Sequence, residues 1–154
     1  MVRLSDLPAV DAKHLLSKPC EPFASEPFVR GPPVRQRRVA LVTTAGLHSG
    51  DQQNFALRDV GYRVIPGDIA GKDLLMSHTS VNFDRAGFQQ DVNIVFPIDR
   101  LREIAANGEI GSVADFNYSV MGAGWEPEEI EPTAREIAGQ LTMDNVDAAV
   151  LIPV

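Results

Sequence analysis

The sequence predicts an α/β fold: a single open sheet, mostly parallel, with flanking helices and an extended Pro-rich N-terminal arm. Three observations carry this. Two apolar runs, Val39-Ala-Leu-Val-Thr-Thr44 and Ala148-Ala-Val-Leu-Ile-Pro153, are too short for helices and read as buried strands of the parallel type. Ahead of the second run, Ile130, Ala134, Ile137, Ala138 and Leu141 recur with the spacing of one helix face. Residues 1–37 hold six of the eleven prolines, which remove backbone donors and forbid long regular elements. The expected organisation is an arm over 1–37, pinned by Phe23 and Phe28, and an α/β domain over 38–154.

Within the domain, the first strand is followed by a weaker one at Tyr62-Arg-Val-Ile, ended by Pro66 and Gly67, and by a short extended segment at Leu74-Leu-Met-Ser. Asn93-Ile-Val-Phe leads into Pro97, which suits a helical first turn because no partner is needed there for an N–H. Ile98, Leu101, Ile104 and Ala105 then share a face, and Gly108 supplies the stop. Phe116 belongs to a strand whose end carries Tyr118, Ser119 and Met121-Gly122, where the glycine permits close approach of backbone or ligand. The helix at about 129–143 is acidic early, at Glu128, Glu129 and Glu131, which complements its dipole. Strand, helix and buried strand in alternation give the α/β reading.

Composition narrows the function. The 154 residues are 44% apolar and 23% charged, ordinary for a globular chain. A net charge of -7, from 21 acidic and 14 basic residues, argues against nucleic acid, which needs a basic face. Cys20 is the only cysteine, so no internal disulfide forms, and no apolar run approaches the ~20 residues of a membrane span. The amino-terminal stretch lacks the apolar core of a secretory signal, and the expected location is cytoplasmic.

Ligands in open α/β sheets gather beyond the carboxyl ends of the strands. Thr43-Thr44-Ala45-Gly46-Leu47-His48-Ser49-Gly50-Asp51 follows the first strand, and its small and hydroxyl residues let backbone amides approach an anionic or zwitterionic group. Thr43, Thr44, Gly46, His48, Ser49 and Tyr118 are therefore substrate-binding candidates, with His48 able to donate to a carboxylate or move a proton. The competing reading is a strand-to-helix loop carrying an exposed histidine. The segment has neither a P-loop nor G-x-G-x-x-G, and Ser49 lies in no G-x-S-x-G elbow. A second cluster spans Ser77 to Arg85. Here His78 and Asp84 can pair as acid and base, and Arg85 can clamp a substrate carboxylate bidentately. Alternatively Asp84 caps a following turn and His78 is satisfied by backbone. His48, His78, Asp84 and Asp91 match no common metal spacing, so no metal and no cofactor are expected. Asp99, Arg100 and Arg102 read as a solvated helix face. Cys20, between Pro19 and Glu21, has no helix N-terminus or base to activate its thiol.

Ordered blocks run through roughly the last three quarters of the chain: Val39 to His48, Tyr62 to Asp68, Ser77-His78, Val81 to Arg85, Asp91 to Glu103, Gly108 to Ser112, Tyr118 to Gly122 and Val146 to Pro153. Together they resemble the selenoprotein B family of the glycine, sarcosine and betaine reductases and their D-proline reductase relatives. The resemblance implies reductive cleavage of a small amino acid or methylamine by a selenolate or thiolate, with the redox residue placed after Val154. It implies that residues 1–154 alone are inactive and are the amino-terminal part of a longer selenoprotein. A homo-oligomer or reductase-complex subunit is expected, and the apolar strand over residues 146–154 is the docking edge that its composition predicts. The D-proline branch is richer in His and Asp where this chain has Val81-Asn-Phe-Asp-Arg, which argues against D-proline as substrate. Two other readings stand beside it: a non-catalytic binding subunit, and an unrelated α/β enzyme using His78, Asp84 and Arg85.

Overall fold

The computed structural model describes residues 3–17, 28–81 and 83–154. Two units result, residues 1–30 and 31–154. In the first, a 3₁₀ turn at Leu4–Asp6 precedes helix α1, Ala9–Leu16. The extended arm is thus corrected over 9–16. That window contains no proline, Pro8 sits at the N-cap where its missing N–H costs nothing, and Asp11 and Lys13/His14 match the dipole at either end. Phe28 is exposed, while Phe23 and Cys20 lie outside the described residues.

The second unit contains β1 (Arg38–Thr43), β2 (Leu47–Ser49), β3 (Tyr62–Pro66), β4 (Leu74–Met76), α2 (Ala86–Gln90), α3 (Ile98–Ala106), β5 (Ser112–Val113), β6 (Phe116–Val120), α4 (Pro127–Met143) and β7 (Ala148–Ile152). Strand β1 is central. It pairs in parallel with β7 along one side, and along the other with β5 at Arg38 and Val39, then β6 at Val42 and Thr43. Strand β3 closes the far edge antiparallel to β6, and β2 and β4 form a separate antiparallel pair. The sheet is therefore mixed, where a mostly parallel one was expected. Apolar content fixes which segments pair but not the direction of an edge strand, and β3 is buried only at Ile65.

Alternation along β1 divides the core. Val39 and Leu41 face Phe96, Ile98 and Leu101 beside α3, while Val42 joins Tyr118, Val120, Tyr62 and Val64 beneath Ile137 and Leu141 of α4. Pro127 opens α4 behind a Glu126/Glu129 capping box, and Gly108, at φ 71, ends α3 as expected. Arg102 departs from the solvated-face reading. Its Nε and Nη2 donate to Gly67 O at 3.1 and 2.8 Å, tying α3 to the turn after β3.

Two polar devices hold β1. At its amino end Arg38 donates to Asp144 and, at 3.0 Å, pairs with Asp115, while Asp144 Oδ2 accepts from Asp115 N at 2.9 Å. At the junction where its neighbour changes from β5 to β6, Leu41 N donates to the side-chain Oδ1 of fully buried Asn117 at 2.7 Å. Replacing Asn117 by Ala strands that buried N–H, and the expected loss is about 2–3 kcal/mol by urea unfolding. An unchanged midpoint would show that the junction does not depend on this bond.

Candidate functional site

Beyond the carboxyl ends of β1, β6 and β7, three backbone segments meet. Thr44 N donates to Ile152 O at 3.1 Å, and Thr44 Oγ1 accepts from Val154 N at 2.8 Å. From the β6 side, Gly46 N donates to Val120 O at 3.0 Å, and a Cβ on Gly122 would stand 2.7 Å from Thr44 O. Only glycine allows that contact, which is the close approach read from the sequence at Met121-Gly122. Gly46 itself turns at φ 64, a left-handed conformation that glycine adopts without penalty, and a Cβ there would meet His78 backbone at 3.2 Å.

His78 is 4% exposed. Its Nδ1 accepts from Ser80 N at 3.1 Å, so the neutral ring carries its proton on Nε2. Nε2 is buried without a hydrogen-bond partner among the described residues. Phe83 packs against the imidazole, ring centroids 4.9 Å apart. Burial first, then the nearby Arg85 charge, hold the His78 pKa below its ordinary value, so the ring is neutral at pH 7.

The other candidates are dispersed. Thr43 is fully buried on the α3 face, its hydroxyl donating to Val95 O at 2.8 Å and accepting from Ala45 N at 3.2 Å. Tyr118 lies on the opposite face against Tyr62, where burial, then Asp144 and Tyr62, raise its phenol pKa. His48 is buried in β2, its Nδ1 2.9 Å from Ser49 O, so the segment is a strand rather than a loop entering a helix. Ser49 Oγ donates to Asp51 at 2.6 Å, which lowers the Asp51 pKa. Asp84 Oδ1 accepts from Ala86 N at 2.8 Å in the turn that leads into α2. Arg85 Nη2 donates to His78 O and, at 3.4 Å, to Ser80 O, leaving no complete fork for a bidentate clamp.

The structure thus brings together Thr44, Gly46 and His78 and adds Gly122. Ser119, whose Oγ accepts from Leu47 N at 2.7 Å, and Asn117 were not assigned roles from sequence. Their signal is the alternation Phe116-Asn-Tyr-Ser-Val120, polar toward one face and apolar toward the other. Among the described residues no group of three or more His, Cys, Asp or Glu is placed to hold a metal, and no helix is long and apolar enough to cross a membrane.

The family model described as glycine/sarcosine/betaine reductase selenoprotein B matches residues 30–153, most of the chain. The protein belongs to this family. D-proline reductase subunit gamma of Acetoanaerobium sticklandii is 39% identical over 120 residues, 77% of this chain and 49% of that protein. Glycine reductase complex component B subunit gamma of Carboxydothermus hydrogenoformans is 30% identical over 117 residues, 73% of this chain and 27% of the relative. Betaine reductase complex component B subunit beta of Peptoclostridium acidaminophilum is 29% identical over 117 residues, with the same coverage of 73% and 27%. The chain therefore spans about half the length of the first relative and about a quarter of the other two. No solved structure gives a significant match.

The depressed His78 pKa has a measurable consequence. Unfolding exposes an imidazole that protonates near pH 6.5, whereas the folded ring resists protonation, so the unfolded state binds more protons and stability falls as pH drops below about 6.5. His78→Phe should flatten this acid-side loss in melting temperatures recorded from pH 5 to 8. An identical slope in the variant would assign the loss to other groups.

Proposed function

We propose that residues 1–154 form the substrate-side part of a reductase component that cleaves a small amino acid or methylamine. The observation that carries this is the Thr44–Val154 contact at 2.8 Å, which fixes the end of β7 where Gly46, His78 and Gly122 also lie, His78 beneath the surface. A redox residue following Val154 would enter at that point. The chemistry needs a selenolate or thiolate that displaces the amine from the substrate carbon: a carbon–chalcogen bond forms, the carbon–nitrogen bond breaks, and the amine leaves with its electron pair and takes a proton. Low-pKa chalcogenols are anionic at neutral pH and polarisable, and no serine or histidine at this edge substitutes for one. The family membership supports this chemistry, and the relatives' names, all reductase subunits or complex components, support a subunit role. D-proline remains among the candidate substrates with glycine, sarcosine and betaine, because the relative at 39% identity is a D-proline reductase subunit.

The surface favours assembly with other chains. Ala149, Val150 and Leu151 of β7 are exposed, and Leu151 lines an apolar groove of about 210 Å³ between β7 and α4 with Val42, Ile137, Ala138 and Leu141. An uncharged edge strand with such a flank is a pairing surface for another element or subunit. A non-catalytic binding subunit would use the same edge without the nucleophile.

Native mass spectrometry of the protein purified from its source tests both parts of this reading. The expected result is a polypeptide heavier than these 154 residues, bearing selenocysteine or a second cysteine, in complex with other subunits. A 154-residue chain inside a complex would move the assignment to the non-catalytic subunit, and a free 154-residue monomer would overturn both.

A further inference from the structure

One feature at the carboxyl edge is unexplained by folding, and a charged group lies beside it. The Nε2–H of His78 is buried without an acceptor among the described residues, although native proteins pair nearly every buried donor. Close by, the Arg85 guanidinium has no carboxylate within ion-pair distance among the described residues, and its Nη2 is used to hold the carbonyls of His78 and Ser80. The imidazole is fixed rather than loose. Ser80 N holds Nδ1, Arg85 holds the His78 backbone carbonyl, and the Gly46 turn packs on the His78 backbone. A rigid neutral N–H donor beside a guanidinium with no carboxylate partner among the described residues matches an anionic oxygen, which in an amino-acid substrate is the carboxylate, because the donor supplies direction and the guanidinium supplies charge.

We propose that His78 Nε2–H is the donor that orients the substrate carboxylate, with Arg85 as its charge complement and the Phe83 ring as the cover that the ligand displaces. This rests on the small amino acid or methylamine reading and deepens it: His78 positions the substrate, and proton transfer to Asp84 has no part. The Phe83 ring lies against the imidazole and Nε2 has no accessible surface, so entry requires the ring to rotate away. Substrates lacking a carboxylate gain nothing from the pair, and the site discriminates betaine from a bare quaternary ammonium ion.

Side-chain imidazole NMR of the chain, titrated with betaine, glycine and acetate and with tetramethylammonium as the carboxylate-free control, tests the inference. The expected result is a His78 ring protonated at Nε2 whose N–H signal moves with each carboxylate and not with tetramethylammonium. His78→Phe should weaken carboxylate binding about 10- to 100-fold, the size of one charge-assisted hydrogen bond. His78→Gln, which keeps an N–H, should recover part of the loss, and Phe83→Ala should tighten binding by removing the cover. Carboxylates that bind while the His78 signals stay fixed and His78→Phe binds normally would overturn the inference and leave the substrate reading intact. Failure of betaine, glycine, sarcosine and D-proline alike to bind the wild-type chain would overturn both.

Discussion

The fold depends on satisfying both backbone edges of β1. A central parallel strand has no solvent to fall back on, so each N–H and C=O needs a partner, and an unpaired one costs about 1–3 kcal/mol. On one side β7 matches it over five residues, Val39 to Thr43. On the other, no single strand runs its length: β5 covers the start, β6 the end, and the Asn117 side chain serves the residue between. The Arg38–Asp144 pair fixes the opposite end of the same strand, and its hydrogen bond to Asp144 is the main cause of the raised Arg38 pKa. A change at either place therefore acts on the whole sheet rather than locally.

That constraint positions the chemistry. With β1 fixed at its amino end and at its middle, its carboxyl end is delivered with β6 and β7 at a defined place, and the turn at Gly46 carries the chain away under His78. Thr44 acts as a latch on β7, both accepting from Val154 and donating to Ile152. The edge is consequently built of backbone and glycine more than of acidic or basic side chains. Such a surface suits the proposed reaction, in which the reactivity would reside in a chalcogen and the protein would orient a small zwitterion.

Much of this was legible in the sequence, for identifiable reasons. Val39–Thr44 and Ala148–Ile152 are legible as strands because both runs are short and apolar, but only the first is buried: Ala149, Val150 and Leu151 of β7 are exposed, which an apolar run alone does not reveal. The α4 stripe and the Pro97/Gly108 punctuation of α3 were equally plain. The direction of β3 was not, since antiparallel and parallel edge strands share composition. Helix α1 was hidden because proline density over 37 residues masked a proline-free window of eight. At the carboxyl edge, Thr44 and Gly46 are candidates from the rule that ligands gather at the carboxyl ends of strands, and Gly122 from the close approach that a glycine permits. Thr43 was placed there by proximity in sequence, yet it shares the face of Val39 and Leu41 and so points into the core. Tyr118 was grouped with Ser119 although neighbours on a strand face opposite sides. The orphaned His78 nitrogen has no sequence signature, because it arises from what surrounds the ring.

The most direct test of the account is a crystal structure of the protein grown with betaine or D-proline. Ligand density is expected at the carboxyl edge, with the carboxylate within hydrogen-bond distance of His78 Nε2, the Phe83 ring rotated off the imidazole, and the Thr44–Val154 contact retained. Density confined to the α4–β7 groove, with Phe83 still covering His78, would contradict it.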